Sequence, residues 1–428
     1  MSRRYLHFAL IALVGLTSTA LGDDVPNPSF EAPAASNGNG AKSVVPARGQ
    51  RAIANKNVPW NGTRPAPKGQ AAARTAQAKP IPPAPAERQF DPNARPIAPK
   101  LGAPDVQKAF ALTKTAETEE VFTQIIGLCK SGLDKGLDTK MVAYARQLSA
   151  WAYNRRGESK ADAGNTQEAF KDFDAAVSLD ARQWRAVHNR GVSYAMLGNQ
   201  NAAIADFTRA IELNPKFSNA WFNRGELLYE KRDFASALRD YNQVVKLSPQ
   251  DAAALNSRGH ALYRLQRHAD ALADYDKAIE IDPSSAAALV NRGDLQADQG
   301  NFAAAAMDYR AAIKANPSLG RAYQSAAWLM ATCPDEKFRN AKLAIETAQK
   351  AIEIDGDSDY RYLETLAAAQ ANAGDFDEAI TTQQRAMENA PTAVAQVYKG
   401  RVEKFRASQP HREPSAKFAS GSAKAARR

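Results

Sequence analysis

The chain has 428 residues, 44% of them hydrophobic and 24% charged, and a formal net charge of +10. That composition supports a folded body and excludes a wholly disordered chain. It also gives no sign of a nucleic-acid groove in that body, because the positive charge sits at the ends. Residues 1–22 carry two basic side chains, 23–104 carry 11 basic and 5 acidic, and 401–428 carry 8 basic and 2 acidic, whereas 105–400 carry 35 basic and 39 acidic.

Residues 1–22 read as a secretory signal peptide. Arg3 and Arg4 precede the apolar run Phe8 to Val14, and small residues then allow cleavage after Ala20 or after Gly22. The run is short for a membrane span, so an exported chain without a stable span, periplasmic or extracellular in a bacterium, is expected. Residues 23–104 are rich in Pro, Ala, Gly and Asn, with Phe30, Trp60 and Phe90 as the only aromatics. They cannot bury enough apolar surface to offset an ordering entropy of about 1–2 kcal/mol per residue, and read as a disordered basic linker.

From Asp105 the apolar spacing becomes helical. Val121, Ile125, Ile126 and Leu128 mark one helix, which the segment Lys130 to Gly136 is expected to end. A second begins near Asp138 and carries Met141, Ala145, Leu148 and Ala152 on one face. Residues 105–151 are assigned to N-terminal capping helices.

A stretch then recurs every 34 residues: Asn189-Arg190-Gly191, Asn223-Arg224-Gly225, Ser257-Arg258-Gly259 and Asn291-Arg292-Gly293, with Arg156-Gly157 upstream. Such a period denotes one supersecondary unit stacked many times. Each unit has two amphipathic segments. The second carries Ala203, Phe207 and Ala210, or Ala237, Tyr241 and Val244, or Ala271, Tyr275 and Ala278, or Ala305, Tyr309 and Ala312. Offsets of four and three place each trio on one helix face. Pro215, Pro249, Pro283 and Pro317 then stop the second helix, because proline lacks an amide donor and clashes inside a helix.

The stretch AWFNRGELLYEKRDFASALRDYNQVVKLSP (220–249) closely resembles the tetratricopeptide repeat family, with that family's Trp, Gly, Ala, aromatic and Pro in register. The later stretches SAAWLMATCPDEKFRNAKLAIETAQKAIE and LETLAAAQANAGDFDEAI resemble the terminal repeats of exported bacterial, planctomycete-like members. The resemblance implies an all-α fold: a right-handed superhelical α-solenoid of stacked antiparallel helix pairs, here with disordered N- and C-terminal extensions. The array is placed at 152–392, in units 152–185, 186–219, 220–253, 254–287, 288–321, 322–360 and 361–392. A cap helix at 393–407 and a disordered basic tail at 408–428 complete the chain.

Asp172, Asp206, Asp240, Asp274 and Asp308 lie 16 residues after Arg156, Arg190, Arg224, Arg258 and Arg292. A buried guanidinium needs a partner, so these are expected to be structural pairs across each helix pair. The sixth unit has Ala326 and Thr347 in those places. The resemblance further implies a peptide-binding concave face lined by first helices, and there Asn189, Asn223 and Asn291 could hold a peptide backbone, since an amide both donates and accepts. Glu226 and Glu230, Asp294 and Asp298, and Glu158 and Asp162 are acidic pairs at helical spacing on the same helices, with His260 and Arg264 among them. They suit a basic or neutral polypeptide rather than a terminal carboxylate.

His188, His260 and His268 are read as surface or groove residues. No phosphate loop, nucleophile elbow, zinc-protease or dinucleotide fingerprint occurs, so neither catalysis nor a cofactor nor a metal is expected. Cys129 and Cys333 lie too many repeats apart to pair and are read as buried apolar residues. The expected function is a non-catalytic protein-interaction scaffold outside the cytoplasm. The alternative is a structural envelope component whose basic tails bind an anionic polymer or a membrane surface. Nucleic acid is disfavoured, since the tails lack interleaved aromatics.

Overall fold

The computed structural model describes residues 103–415. The expected signal peptide, nearly all of the expected linker and the last part of the basic tail lie outside the described residues. Those described fall into two compact units, 103–231 and 232–415, and every regular element in them is helical. The first unit contains α1 (Pro104–Leu112), α2 (Glu119–Asp134), α3 (Thr139–Asp162), α4 (Thr166–Leu179), α5 (Trp184–Met196), α6 (Gln200–Leu213) and α7 (Ser218–Glu230). The second contains α8 (Phe234–Leu247), α9 (Ala252–Arg264), α10 (His268–Ile281), α11 (Ala286–Asp298), α12 (Phe302–Ala315) and α13 (Gly320–Thr332). A 3₁₀ turn (Glu336–Phe338) follows, then α14 (Ala341–Asp355), α15 (Tyr360–Ala373), α16 (Phe376–Asn389) and α17 (Thr392–Arg406).

Local chemistry sets these bounds. Helix α6 ends at Leu213 because Asn214 leaves helical geometry and Pro215 follows; Asn316 and Pro317 end α12 in the same way. Within a pair, the reversal needs one left-handed residue. Gly198 (φ 81°) and Gly300 (φ 83°) supply it without steric cost, whereas Arg232 (φ 65°) and Gln266 (φ 63°) occupy the same register position with a side chain.

The paired helices pack through the small and aromatic residues. Ala203, Phe207 and Ala210 are buried in the first unit, and Ala305, Tyr309 and Ala312 in the second. A ring buried this way contributes about 2–3 kcal/mol. It lies directly on the facing glycine: a Cβ at Gly191 would come 2.9 Å from the Phe207 ring, and one at Gly293 would come 2.6 Å from the Tyr309 ring. Glycine at this register position is therefore a matter of close approach rather than of backbone freedom, since it lies within a helix.

Three boundaries differ from the sequence-based expectation. Helix α2 continues through Asp134, so most of the segment from Lys130 is helical and the stop is Gly136, at φ 82°. Helix α3 runs unbroken from Thr139 to Asp162, so the border at 151/152 falls inside it. Asp138 caps its start by accepting from the Met141 N–H, and nothing in its sequence stops it. Its first half packs Met141, Ala145 and Leu148 with Phe122 and Ile125, while Gly157 in its second half meets Phe173 on α4. Finally, residues 408–415, expected to begin the disordered tail, are held: the Glu413 N–H bonds to the Thr332 carbonyl and Arg412 to the Ala331 carbonyl.

Cys129 and Cys333 are free thiols, both buried, and burial pushes the Cys129 thiol up to about 11. Among the described residues no helix is long and apolar enough to cross a membrane, and no group of three His, Cys, Asp or Glu side chains could hold a metal ion.

Candidate functional site

The arginine of each repeat is held on two sides. In the first unit Arg190 donates through Nε and Nη2 to both oxygens of Asp206, each at 2.8 Å. Its Nη1 donates to Asp174, 16 residues earlier, at 2.8 Å. In the second unit Arg292 does the same with Asp308 (2.8 and 2.6 Å) and with Asp276 (2.8 Å). Arg258 pairs with Asp274 and reaches back to Asn242, and Arg156 pairs with Asp172 and reaches Thr123. Arg224 reaches back to Thr208 in the first unit; its expected partner Asp240 falls in the second. Arg156, Arg190, Arg258 and Arg292 thus each tie their own helix to the second helix of the pair and to the preceding one. The fork geometry matches two carboxylate oxygens and leaves a third donor for the backward bond. The aspartates are nearly buried and the arginines about one-fifth exposed, so these pairs are only weakly screened.

The asparagines join neighbouring repeats. The Asn189 amide donates to Asn154 Oδ1 at 3.0 Å and to Glu158 Oε1 at 3.2 Å. Asn223 Nδ2 lies 3.0 Å from His188 Nε2, and His188 Nδ1 lies 3.2 Å from Asn189 Oδ1. These contacts select one neutral tautomer, with the proton on Nδ1 and Nε2 accepting. His188 is buried, packed against the rings of Phe207 and Phe217, and burial lowers its pKa to about 4. In the second unit the Asn291 amide donates to Asn256 Oδ1 at 2.8 Å, while the buried Asn291 Oδ1 has no hydrogen-bond partner among the described residues. The recurring separation is 35 residues, one repeat plus one position.

The acidic pairs are not a bare stripe. In the first unit Glu158 accepts from Asn154 and Arg155, and Glu230 accepts from Gln200 at 2.8 Å. Burial raises the Glu230 pKa; burial and the neighbouring Glu158 charge raise that of Asp162. In the second unit Asp294 accepts from the Tyr309 hydroxyl (2.9 Å) and pairs with Arg321 (2.9 Å). Asp298 is buried and accepts from the Tyr263 hydroxyl. His260 is buried too, its pKa lowered to about 3 by burial and then by Arg321 and Arg264. The expectation that the histidines are surface or groove residues is therefore corrected for His188 and His260, which fill space between aromatic and charged neighbours; His268 stays partly exposed at the start of α10.

Sequence reasoning missed two things here. The backward bond of each arginine had a legible signal, since Asp174, Thr208, Asn242 and Asp276 stand 34 residues apart, two places after each paired aspartate. The seating of Arg412 on α13 and on Asn372 of α15 had none, because 81 and 40 residues separate the partners.

A family model described as tetratricopeptide repeat matches residues 154–216, 197–252, 222–286 and 256–320. No curated protein matches the chain significantly. Solved structures similar to it include a tetratricopeptide repeat protein from Parabacteroides merdae ATCC 43184, at 19% identity over 60% of this chain and 98% of that one, with a TM-score of 0.48. YrrB, described as a TPR protein with an unusual peptide-binding site, is 21% identical over 48% of this chain and 97% of its own, with a TM-score of 0.39. MamA from Desulfovibrio magneticus RS-1 is 20% identical over 40% of this chain and 96% of its own, with a TM-score of 0.37. Helix pairs in a strict 34-residue register, with the family's own packing residues and a matching family model, make residues 154–320 of this chain an array of tetratricopeptide repeats.

Proposed function

We propose that the chain is an exported, non-catalytic scaffold that binds a polypeptide on the face formed by the first helices of its repeats. One observation carries this reading. Positions that stack the repeats recur with small changes, whereas the position after each repeat glycine holds Glu158, Val192, Glu226, His260 and Asp294, and Trp328 stands in the same register after Ala327. Stacking demands the same shape at every junction. A register position that is chemically different in each repeat suits recognition of an irregular ligand. In the first unit Glu226 and Glu230 give the first helices acidic side chains, and in each unit by itself the inter-repeat bonds of the asparagines, Asn189 and Asn223 in the first and Asn291 in the second, set the spacing.

Photo-crosslinking residues placed at Val192, Glu226 and Trp328, and as controls at the exposed second-helix positions Glu212 and Arg239, test the reading in cell extract. Adducts to a polypeptide from the first set alone support it; equal adducts from both sets, or none, contradict it. Export rests on the charged and apolar pattern of residues 1–22. Residues 1–22 fused to a reporter that is active only outside the cytoplasm should give signal, and a silent fusion would contradict export. The basic charge of 23–104 and 401–428 supports a second reading, a structural envelope component binding an anionic polymer or membrane surface through its tails. Binding to anionic vesicles that disappears between 50 and 500 mM salt would favour it.

A further inference from the structure

We infer that the first-helix face of α13 and α15 is a peptide site occupied in cis by His411-Arg412-Glu413, and that it accepts an extended, arginine-bearing segment of that chemistry when the chain's own segment leaves. The inference rests on the reading of the first-helix face as a polypeptide site and names one occupant for part of it.

The last four carbonyls of any helix lack partners within it. At the end of α13, Cys333 N–H serves Leu329 (3.0 Å) and Asn340 N–H serves Met330 (3.1 Å). The other two are served from the far end of the unit: Arg412 Nη1 donates to Ala331 at 3.1 Å and Glu413 N–H to Thr332 at 2.9 Å. A cation there also meets the negative end of the helix dipole. Arg412 Nη2 continues to Asn372 Oδ1 on α15, at 2.7 Å. His411 lies against the Trp328 indole with ring centroids 5.7 Å apart, and Trp328 occupies the variable register position of its repeat. Behind the indole the charge of Arg401 is matched by Glu364, whereas Arg339, on the Cys333 and Pro334 carbonyls, is a second cation near enough to oppose the Arg412 charge.

These are the contacts of a bound peptide. A main-chain N–H bond holds an extended backbone without regard to sequence, one guanidinium reads a carbonyl and an amide, and one ring lies on an aromatic floor. The segment lies outside the apolar core, although its His411 and Glu413 side chains are largely covered. It has no regular secondary structure, Gln409, Pro414 and Ser415 on either side are exposed, and it presses no aliphatic side chain into the core. A helix cap built only for stability would come from the adjoining loop, as Cys333 and Asn340 do. The same two carbonyls and Asn372 would be offered to any extended segment presenting an N–H next to an arginine.

The test uses the full chain and a labelled synthetic peptide of residues 409–415. In the chain carrying Arg412→Ala and Glu413→Pro, the in-cis donors are gone, and fluorescence anisotropy should show the peptide binding at least tenfold tighter than to the unchanged chain. Adding Asn372→Ala, or replacing the peptide's arginine by alanine, should abolish the gain. In the unchanged chain, saturating peptide should speed amide exchange across 409–415; this readout stands even where the double variant fails to fold. Equal affinity for both chains, or exchange at 409–415 unaffected by peptide, would overturn the inference. Either result leaves the crosslinking outcome at Val192 and Glu226 unchanged, so failure here is distinct from failure of the broader reading.

Discussion

Two neighbouring repeats of the second unit are held by different means. In 288–321, Arg292 clamps Asp308 and Asp276, and Gly293 lets the Tyr309 ring approach. In 322–360, the same places hold Ala326 and Ala327, and the insertion after Cys333 displaces the second helix. There the end of α13 is secured by the Asn340 N–H of its own loop and, from outside its pair, by Glu413 N–H and Arg412, while Arg339 folds back on the Cys333 and Pro334 carbonyls. A regular repeat can reuse one side-chain brace at every junction. The repeat 322–360 lacks that brace and is finished by peptide segments, which leaves its surface able to exchange one segment for another.

The sharpest way to break this comparison is to remove a brace. Asp308→Ala leaves the Arg292 guanidinium without its main partner in a largely buried place, and should lower the unfolding free energy by about 3–5 kcal/mol. Thr347→Ala, in the matching place of the unbraced repeat, should change it by less than about 0.5 kcal/mol. Urea unfolding curves measure both, and equal effects would erase the distinction.

Acid tests the buried histidine that links α5 to α7. Its pKa is lowered in the fold to about 4 from an ordinary 6.5, so the unfolded chain binds the extra proton between those values. The stability it supports is present above pH 6.5 and is lost as pH falls toward 4, by an amount on the order of 3 kcal/mol. The unfolding free energy of His188→Gln relative to the unchanged chain should therefore converge with it as pH drops from 7 to 4.5. A constant difference across that range would show that His188 does not titrate as its burial requires.

Gly293→Ala should cost about 1–3 kcal/mol, because its Cβ meets the Tyr309 ring, whereas Ala327→Gly should lose only about 1 kcal/mol of helix propensity. Thermal melts of the two variants separate close approach from intrinsic helicity. The smallest effect is a gain. Gln266→Gly relieves a left-handed side-chain residue and should raise stability by about 0.5–1 kcal/mol, unlike a Gly300→Ala change, which should lower it by a similar amount.

Most of the fold was legible from the chain. The 34-residue register marked the helix pairs, the prolines their ends, and the arginine–aspartate spacing of 16 half of each brace, because all three act within one or two repeats. Burial of His188 and His260 was not legible, since a polar residue on a first helix looks the same whether it faces solvent or a neighbouring repeat. Nor was the bonding of Asn223 and Asn291, whose partners stand one position off the repeat period. The seating of Arg412 depends on the path of the chain after α17, which no local pattern encodes.

The claim that a repeating side-chain brace carries the architecture is tested most directly by a double-mutant cycle on Arg292→Ala and Asp308→Ala, read by urea unfolding. A coupling of about 2 kcal/mol or more is the predicted result. A coupling within about 0.5 kcal/mol of zero would contradict the account.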